Sequence, residues 1–168
     1  MHKKRNGYLL GLGCNIAPFE NFSQIIAQLL AHFASFDISR VLHIPPVGMN
    51  SQHDFLNAVI FIETDISKES LKDICNGIET TLGRDRADPD RKHKDRAADL
   101  DILCSLTVPD DLNIPARQVT DEYFLYPLID ELFLFLADKP ITKSIQSGTA
   151  IQVGHLSFGE SATTIHRD

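Results

Sequence analysis

The segment DFLNAVIFIET, residues 54–64, constrains the fold more than any other part of this chain. Because successive side chains of a strand point to opposite faces, residues 55, 57, 59 and 61 share one face, and residues 56, 58, 60 and 62 share the other. Both sets are mostly apolar. The segment therefore predicts a central strand that is covered on both sides near its middle.

Two amphipathic segments flank this strand in the sequence. Apolar residues recur at three- and four-residue spacing over residues 18–36, which predicts a first helix. Ser67 is a candidate N-cap for a second helix that runs to about Leu82, and Gly83 follows where a helix end favours a left-handed residue. The residues expected to face inward are Phe22, Ile25, Ile26, Leu29, Leu30 and Phe33 in the first helix and Leu71, Ile74, Cys75, Ile78 and Leu82 in the second.

Three further apolar runs, residues 8–13, 38–44 and 98–104, are strand candidates. The order strand, helix, strand, strand, helix, strand predicts an α+β fold. It is typical of a ferredoxin-like (βαββαβ) sandwich, with long functional loops and with helices on one face of a largely antiparallel sheet. A further apolar helical stretch, residues 123–136, adds an extra C-terminal helix.

The end of the chain differs in composition. From about residue 141 onward it is polar, aperiodic and rich in Ser, Thr and Gly. Such a segment buries little apolar surface, so we expect a loosely attached tail with little structure. The sequence thus predicts one domain at residues 1–140 and a polar C-terminal tail at residues 141–168.

Charge and cysteine content restrict the partners. The formal net charge of -7 argues against binding to nucleic acid or to an anionic membrane, because both need a clustered positive field. No stretch approaches the roughly 18 apolar residues of a membrane span. Cys14, Cys75 and Cys104 form no CxxC pair and no zinc ligand set, which favours a reduced, cytoplasmic setting. We expect small-molecule partners and, by default, a monomer.

An acid pair lies in the segment RAADLDIL, residues 96–103. On a strand, Asp99 and Asp101 point to the same side, while Leu100 and Ile102 enter the core. Two adjacent anions repel each other less if they share Mg²⁺, which is usually held by one or two carboxylates together with substrate phosphates. The alternative is a solvent-facing edge on which the acids pair with nearby arginines, Arg84 or Arg96.

A charged loop, RDRADPDRKHKDR at residues 84–96, leads into the acid pair. Its cations can neutralise a polyphosphate whose magnesium the aspartates hold. The alternative is an ordinary solvated loop of mixed charge, because four aspartates are interspersed. The cations are Arg84, Arg86, Arg91, Lys92, Lys94 and Arg96.

These motifs together resemble the signature of the 6-hydroxymethyl-7,8-dihydropterin pyrophosphokinases of folate biosynthesis. The stretch from GRDR at residues 83–86 to RAADLDI at residues 96–102 is similar to that family's GRxR and RxxDLDI elements. Four more segments agree in order and approximate spacing: LGCN at 12–15, PPVG at 45–48, DFLNA at 54–58 and YFLYPL at 123–128. The resemblance covers most of residues 7–136.

The resemblance implies an ATP-dependent diphosphotransferase that moves pyrophosphate from ATP to the pterin hydroxymethyl group and releases AMP. It implies ATP as co-substrate and two Mg²⁺ ions, held by Asp99 and Asp101. The implied catalytic residues are Asp99, Asp101, Arg84 and Arg96, and the implied nucleotide-binding residues are Glu79, Arg84, Arg86 and Arg96. The implied pterin-binding residues are Ile44, Pro45, Val47, Phe55, Asn57 and Tyr123.

Some of these residues also have a simpler interpretation. Phe55 and Asn57 share a strand face, which suits stacking on a flat heterocycle and hydrogen bonding to its edge. The alternative is a core phenylalanine beside a satisfied amide at the end of a sheet. For Glu79 the alternative to nucleotide binding is a salt bridge on a helix surface.

The chain departs from the family pattern on the nucleotide side. The family usually has a His after the Pro of the segment NIPAR, residues 113–117, and an Arg shortly before the aromatic that is Tyr123 here. This chain has Ala116 at the first position and Asp121 and Glu122 near the second. A second interpretation therefore stays open, a pterin-binding paralogue with lost or altered nucleotide use.

Overall fold

The computed structural model describes residues 3–44, 54–83, 97–141 and 148–167. A six-stranded antiparallel sheet runs in the order β5-β1-β4-β2-β8, and β3 also pairs with β4. The elements are β1 (Arg5–Cys14), α1 (Pro18–His32), β2 (Ser35–Ile38), β3 (Leu42–Ile44), β4 (Phe55–Glu63), α2 (Lys68–Thr81), β5 (Asp99–Val108), α3 (Ala116–Val119), a 3-10 turn (Tyr123–Leu125), α4 (Tyr126–Leu136), β6 (Ile151–Val153), β7 (Leu156–Phe158) and β8 (Thr163–His166). The α+β class is confirmed.

The central strand β4 has a core on each face, as its sequence predicts. Its even-numbered residues from 56 to 62 pack with α1 and α2, and Val59 and Phe61 pack with α4. Helices α1 and α2 lie on one face of the sheet, and α4, for which the sequence predicted no face, lies on the other. This helix buries Leu128, Ile129, Leu132 and Phe133 against the opposite face, because the apolar odd-numbered residues of β4 need cover there.

The second helix follows the sequence prediction closely. The Ser70 N–H donates to the Ser67 Oγ at 3.1 Å, so Ser67 caps α2. Gly83 has φ of 104°, the left-handed geometry expected after a helix end. No helix among the described residues is long and apolar enough to cross a membrane.

The boundary after the first helix differs from the prediction. Helix α1 ends at His32, not at residue 36, and Phe36 and Ile38 lie in β2. Their alternation with Ser35 and Asp37 is typical of a strand. The spacing of the apolar residues had instead assigned residues up to 36 to the helix. The strand predicted at residues 38–44 is in fact two strands, β2 and β3, which both pair with β4 and are separated by residues 39–41.

The C-terminal segment is more ordered than its composition indicates. Residues 151–166 contain three short strands, of which β8 pairs with β2, and the expectation of little structure is wrong for this part. Ile151, Phe158 and Ile165 enter the core with α1. Sparse apolar residues on short strands show no periodicity that a sequence window can detect. The division of the chain after residue 140 stays a prediction.

Candidate active site

The two acids of the DLD motif lie on one face of β5, at the edge of the sheet. Asp99 pairs with Gly13 and Asp101 pairs with Gly11 of the neighbouring strand β1. Asp99 is half-buried and Asp101 is exposed, whereas Leu100 between them is buried in the opposite core. The structure thus places the two carboxylates side by side and away from the α1–α2 core, as their spacing predicts.

A row of four paired residues crosses the sheet at this level. We call Leu42, Asn57, Gly13 and Asp99 the Gly13 row; each is the antiparallel partner of the next. Paired residues of an antiparallel sheet share a face, so Asn57 and Asp99 flank a position that has no side chain. A Cβ on Gly13 would lie 2.8 Å from the Asn57 Oδ1. Glycine therefore allows the Asn57 amide to lie across β1 towards the acids.

Asn57 has an unused donor in the described part of the chain. Its side chain is 7% exposed, and its Nδ2 is buried without a hydrogen-bond partner there. An unmade buried hydrogen bond costs about 1–3 kcal/mol, so this amide nitrogen is a candidate donor to a ligand. The alternative of a fully satisfied amide is wrong for this nitrogen.

Two half-buried apolar residues stand beside Asn57. Phe55 pairs with Ile44 across β3 and β4, and neither belongs to the two main cores. Because Phe55 lies two positions from Asn57, its ring shares the face of the unused amide donor. The alternative of a core phenylalanine is therefore wrong, since Phe55 lies at the border of the packed region. Pro45 and Val47 fall outside the described residues.

An exposed aromatic ring stands on the adjoining 3-10 turn. Tyr123 is 64% exposed, and its ring meets Phe124 edge to face with centroids 6.0 Å apart. The turn is fixed by Leu125, whose Cδ1 lies 3.5 Å from where a Cβ on Gly11 would be. Gly11 therefore lets the turn approach the sheet next to Asp101, its partner. Gly11 was not among the site residues predicted from the sequence, although the two-residue spacing of Gly11 and Gly13 matches that of the acids.

Glu79 is buried, not on the surface. It is 1% exposed, and its Oε2 accepts a hydrogen bond from the Leu100 N–H at 2.9 Å. Strand β5 is at the edge of the sheet, so this N–H has no strand partner and needs another acceptor. The surface salt bridge considered for Glu79 is wrong. The carboxylate fixes the backbone between the two aspartates.

A cavity of about 470 Å³ lies on the outer side of β5, between α2 and the segment before the 3-10 turn. We call it the edge cavity. Its wall includes Asp101, so it adjoins the acid pair from the side opposite to Asn57. Lys68, Lys72, Glu79, Thr120 and Glu122 supply further polar groups. The acid pair thus lies between Asn57 on one side and the edge cavity on the other.

The segment in which the chain departs from the expected pattern borders this cavity. Ala116 is 6% exposed and packs into the α4 core. Arg117, Asp121 and Glu122 are exposed, and Glu122 lines the edge cavity. This wall therefore adds a negative charge beside Asp101 instead of a cation. Arg84, Arg86 and Arg96, with the other cations of the charged loop, lie outside the described residues.

The side chains described at this site favour catalysis by charge compensation over covalent catalysis. Within residues 3–44, 54–83, 97–141 and 148–167 no group of three or more His, Cys, Asp and Glu is placed to hold a metal ion. Two carboxylates suffice where substrate phosphates complete the coordination. Burial raises the pKa of the Cys14 thiol to about 12, and its Sγ contacts the Pro18 carbonyl at 3.3 Å. Cys14 is therefore not a nucleophile at neutral pH.

Comparisons with known proteins agree on one family. The family model of 7,8-dihydro-6-hydroxymethylpterin-pyrophosphokinase matches residues 9–132. The chain is 34% identical over 131 residues to the 2-amino-4-hydroxy-6-hydroxymethyldihydropteridine pyrophosphokinase of Methylorubrum extorquens, a match that covers 72% of this chain and 79% of the relative. The protein of that name from Porphyromonas gingivalis is 28% identical over 128 residues, with 72% and 87% covered. The one from Bacillus subtilis is 34% identical over 97 residues, with 56% of each chain covered.

Proposed function

The chain belongs to the 7,8-dihydro-6-hydroxymethylpterin-pyrophosphokinase family, and we propose that its two substrates bind on either side of the acid pair, one beside Asn57 and one in the edge cavity. The protein is an ATP-dependent pyrophosphokinase that transfers pyrophosphate from ATP to hydroxymethyldihydropterin in folate biosynthesis. The observation that carries the proposed location is the Gly13 row, which sets an unused amide donor and a carboxylate on either side of one glycine.

The proposed pterin position is beside Asn57. A pterin edge carries both donors and acceptors, and the unpartnered Asn57 Nδ2 can donate to one of its acceptors. Phe55 and Ile44 lie against one side of the flat ring, and Tyr123 closes the other side. Pro45 and Val47, which lie outside the described residues, are the remaining proposed pterin contacts. This placement points the hydroxymethyl group across Gly13 towards Asp99.

The acid pair fits a Mg²⁺ site. Two carboxylates on one strand face, with Asp101 exposed, are hard oxygen donors that leave room for phosphate oxygens and water. Two Mg²⁺ ions, when bound, would neutralise the phosphates and lower the pKa of the substrate hydroxyl. Asp99 and Asp101 would hold these ions. Glu79 keeps the two carboxylates aligned through the Leu100 N–H.

The reaction needs no protein nucleophile. The substrate hydroxyl oxygen forms a bond to the β-phosphorus of ATP, the bond from that phosphorus to the oxygen of the α-phosphate breaks, and AMP leaves with the electron pair. The hydroxyl proton is released. The protein contributes positioning and charge compensation, which dominate phosphoryl transfer. Arg84, Arg86 and Arg96, which precede the acids in the sequence and lie outside the described residues, are the proposed source of positive charge for the phosphates.

We also assign the core to the ferredoxin-like arrangement. Taking β2 and β3 as one interrupted strand, the elements follow the order βαββαβ up to β5. The central strand order β5-β1-β4-β2 and the antiparallel pairing support this assignment. Helix α4 and strand β8 are additions to that core. The cytoplasmic location, the monomeric state and the absence of nucleic-acid or membrane binding stay predictions.

The direct test of the proposed function is AMP production. Purified protein is incubated with ATP, Mg²⁺ and 6-hydroxymethyl-7,8-dihydropterin, and AMP and pterin diphosphate are quantified by chromatography. We expect equal amounts of both products and none without the pterin. Pterin binding without AMP formation would contradict the proposal and favour the pterin-binding paralogue, for which Ala116 and Glu122 are the motivating observation.

Phe55→Ala is expected to raise the KM for the pterin roughly tenfold, because a stacked aromatic contact and its buried area are lost. The KM for ATP is expected to stay within twofold. Phe55→Leu keeps most of the apolar area and tests the flat ring itself. Phe19→Ala, at an exposed phenylalanine on α1, is the matched control. An unchanged pterin KM in Phe55→Ala would place the ring elsewhere.

Gly13→Ala is expected to weaken pterin binding about tenfold, because the new Cβ would lie 2.8 Å from the Asn57 Oδ1 and would push the amide away. Fluorescence titration of the pterin measures this. Gly77→Ala is the control, since a Cβ on this exposed helical glycine meets nothing within 4 Å. That control is expected to stabilise the protein by about 1 kcal/mol. Wild-type affinity in Gly13→Ala would show that the Asn57 position is not needed.

A further inference from the structure

We propose that the buried ion pair of Arg40 and Glu131 positions the two sides of the pterin site relative to each other. The Arg40 Nε donates to both carboxylate oxygens of Glu131, and both side chains are largely buried. The inference rests on the proposed function, because it takes Ile44 and Tyr123 as the two sides of that site. Arg40 and Glu131 are positioning residues, which act through the elements that carry Ile44 and Tyr123 and not by contact with the substrate.

The first side of the site is joined to Arg40 through a short stretch of chain. Arg40 precedes Ile44 by four residues, and β3 between them has three residues that pair with β4. The backbone next to Arg40 is held on both sides. The Ser39 N–H donates to a β4 carbonyl at 2.9 Å, and the Val41 N–H donates to the Gly159 carbonyl at 2.8 Å. The Arg40 side chain therefore extends from a fixed backbone, so a restraint on its guanidinium also restrains β3.

The second side of the site is joined to Glu131 through a helix. Glu131 lies in α4, which begins at Tyr126 directly after the 3-10 turn that starts at Tyr123. The turn and the helix bury side chains in one core, to which Leu125 belongs. A hydrogen-bonded helix moves as a unit, and no loop separates Glu131 from the turn. A displacement of α4 at Glu131 therefore also displaces Tyr123.

The energetics of the pair favour a role in orientation over a role in stability. The Arg40 Nη1 is buried without a hydrogen-bond partner in the described part of the chain, so its lost hydration is not compensated there. Apolar side chains of similar volume often replace a buried ion pair without loss of stability. They do not fix a direction, whereas an Nε shared between both oxygens of the Glu131 carboxylate does. The pair supplies a fixed distance and direction between the segment before β3 and α4.

Loss of orientation and loss of stability have different kinetic signatures. A partly unfolded sample contains fewer active molecules, so its apparent kcat falls while the KM values for both substrates stay unchanged. A displaced side of the site weakens the pterin contacts in every folded molecule and raises the KM for the pterin. The nucleotide binds on the other side of the acid pair, so its KM is not affected. The ratio of the two KM values therefore separates the two roles.

The test is the double variant Arg40→Met with Glu131→Leu, measured by initial rates of AMP formation and by urea unfolding. We expect a urea midpoint close to that of the wild type, a KM for the pterin raised about fivefold, and a KM for ATP within about twofold. Arg40→Lys, whose ammonium group can contact the same carboxylate, is expected to keep the KM for the pterin within about twofold. Ile165→Ala, in the core on the α1 side of the sheet, is the control for lower stability and is expected to change neither KM.

The outcomes separate this inference from the function it rests on. A stable double variant with the wild-type KM for the pterin would overturn the positioning role and leave the proposed function standing. If the double variant does not fold, the isosteric Glu131→Gln decides: a KM for the pterin raised about threefold supports the role, and an unchanged KM overturns it.

If the wild-type protein forms no AMP, the proposed function fails, and fluorescence titration with the pterin alone decides the inference. Binding that is about fivefold weaker in the double variant would support the positioning role. Equal binding, or no pterin binding by the wild-type protein, would overturn it.

Discussion

Asp101→Ala is expected to lower turnover by roughly 10³-fold, and Asp99→Ala by a similar factor, because each removes a carboxylate that holds charge-neutralising Mg²⁺ at the transferred phosphates. Neither change is expected to unfold the protein, since Asp101 is exposed and Asp99 is half-buried. Pterin affinity is expected to stay within about twofold, because Asn57 and Phe55 lie on the other side of β1. The pattern is the reverse of that expected for Phe55→Ala.

The measurement combines initial rates of AMP formation over a range of Mg²⁺ concentrations with fluorescence titration of the pterin. Ser105→Ala is the control, since this exposed residue lies on the same strand, away from the acids. Turnover near that of the wild-type protein in either aspartate variant would show that the acid pair does not hold the metal.

Arg40→Ala is expected to destabilise the protein by about 3–5 kcal/mol, because it leaves the Glu131 carboxylate buried without its partner. The Arg40 Nε donates to the Oε1 and Oε2 of Glu131 at 2.8 and 3.1 Å, and the two side chains are 7% and 14% exposed. The pair joins the segment between β2 and β3 to α4. It therefore ties the strand that carries Ile44 to the helix that follows Tyr123.

Replacement of both partners gives a sharper result than removal of one. The Arg40 Nη1 is buried without a partner in the described residues, so the pair carries an uncompensated desolvation cost. The double variant Arg40→Met with Glu131→Leu is expected to recover most of the stability lost in Arg40→Ala. Urea unfolding measures the free energy of unfolding of the single and the double variant, provided that the m-value stays constant. Arg117→Ala is the exposed control. A loss below about 1 kcal/mol in Arg40→Ala would contradict a buried pair.

The sequence predicted the structure best where a feature depends only on residues that are close together in the chain. The alternation of β4 predicted both of its cores, and the spacing of Asp99 and Asp101 predicted their common face. The N-cap at Ser67 and the left-handed Gly83 also follow from local chemistry. Each of these features depends on neighbours within a few positions of the chain.

The rest depends on contacts between distant segments. The Gly13 row joins residues 42, 57, 13 and 99, and no local pattern fixes the register that aligns them. Glu79 stands next to the inward-facing Ile78, but its burial follows from an edge-strand N–H twenty-one residues later. Phe36 satisfied both the three-residue spacing of α1 and the alternation of β2, so the sequence alone did not place the boundary.

The location of the reaction is tested most directly by anomalous diffraction from a crystal that contains Mn²⁺ in place of Mg²⁺, a non-hydrolysable ATP analogue and the pterin. We expect manganese peaks at the carboxylates of Asp99 and Asp101, the pterin ring beside Asn57, and the nucleotide in the edge cavity. Manganese bound elsewhere, with both carboxylates free of metal and the pterin away from Asn57, would contradict the account.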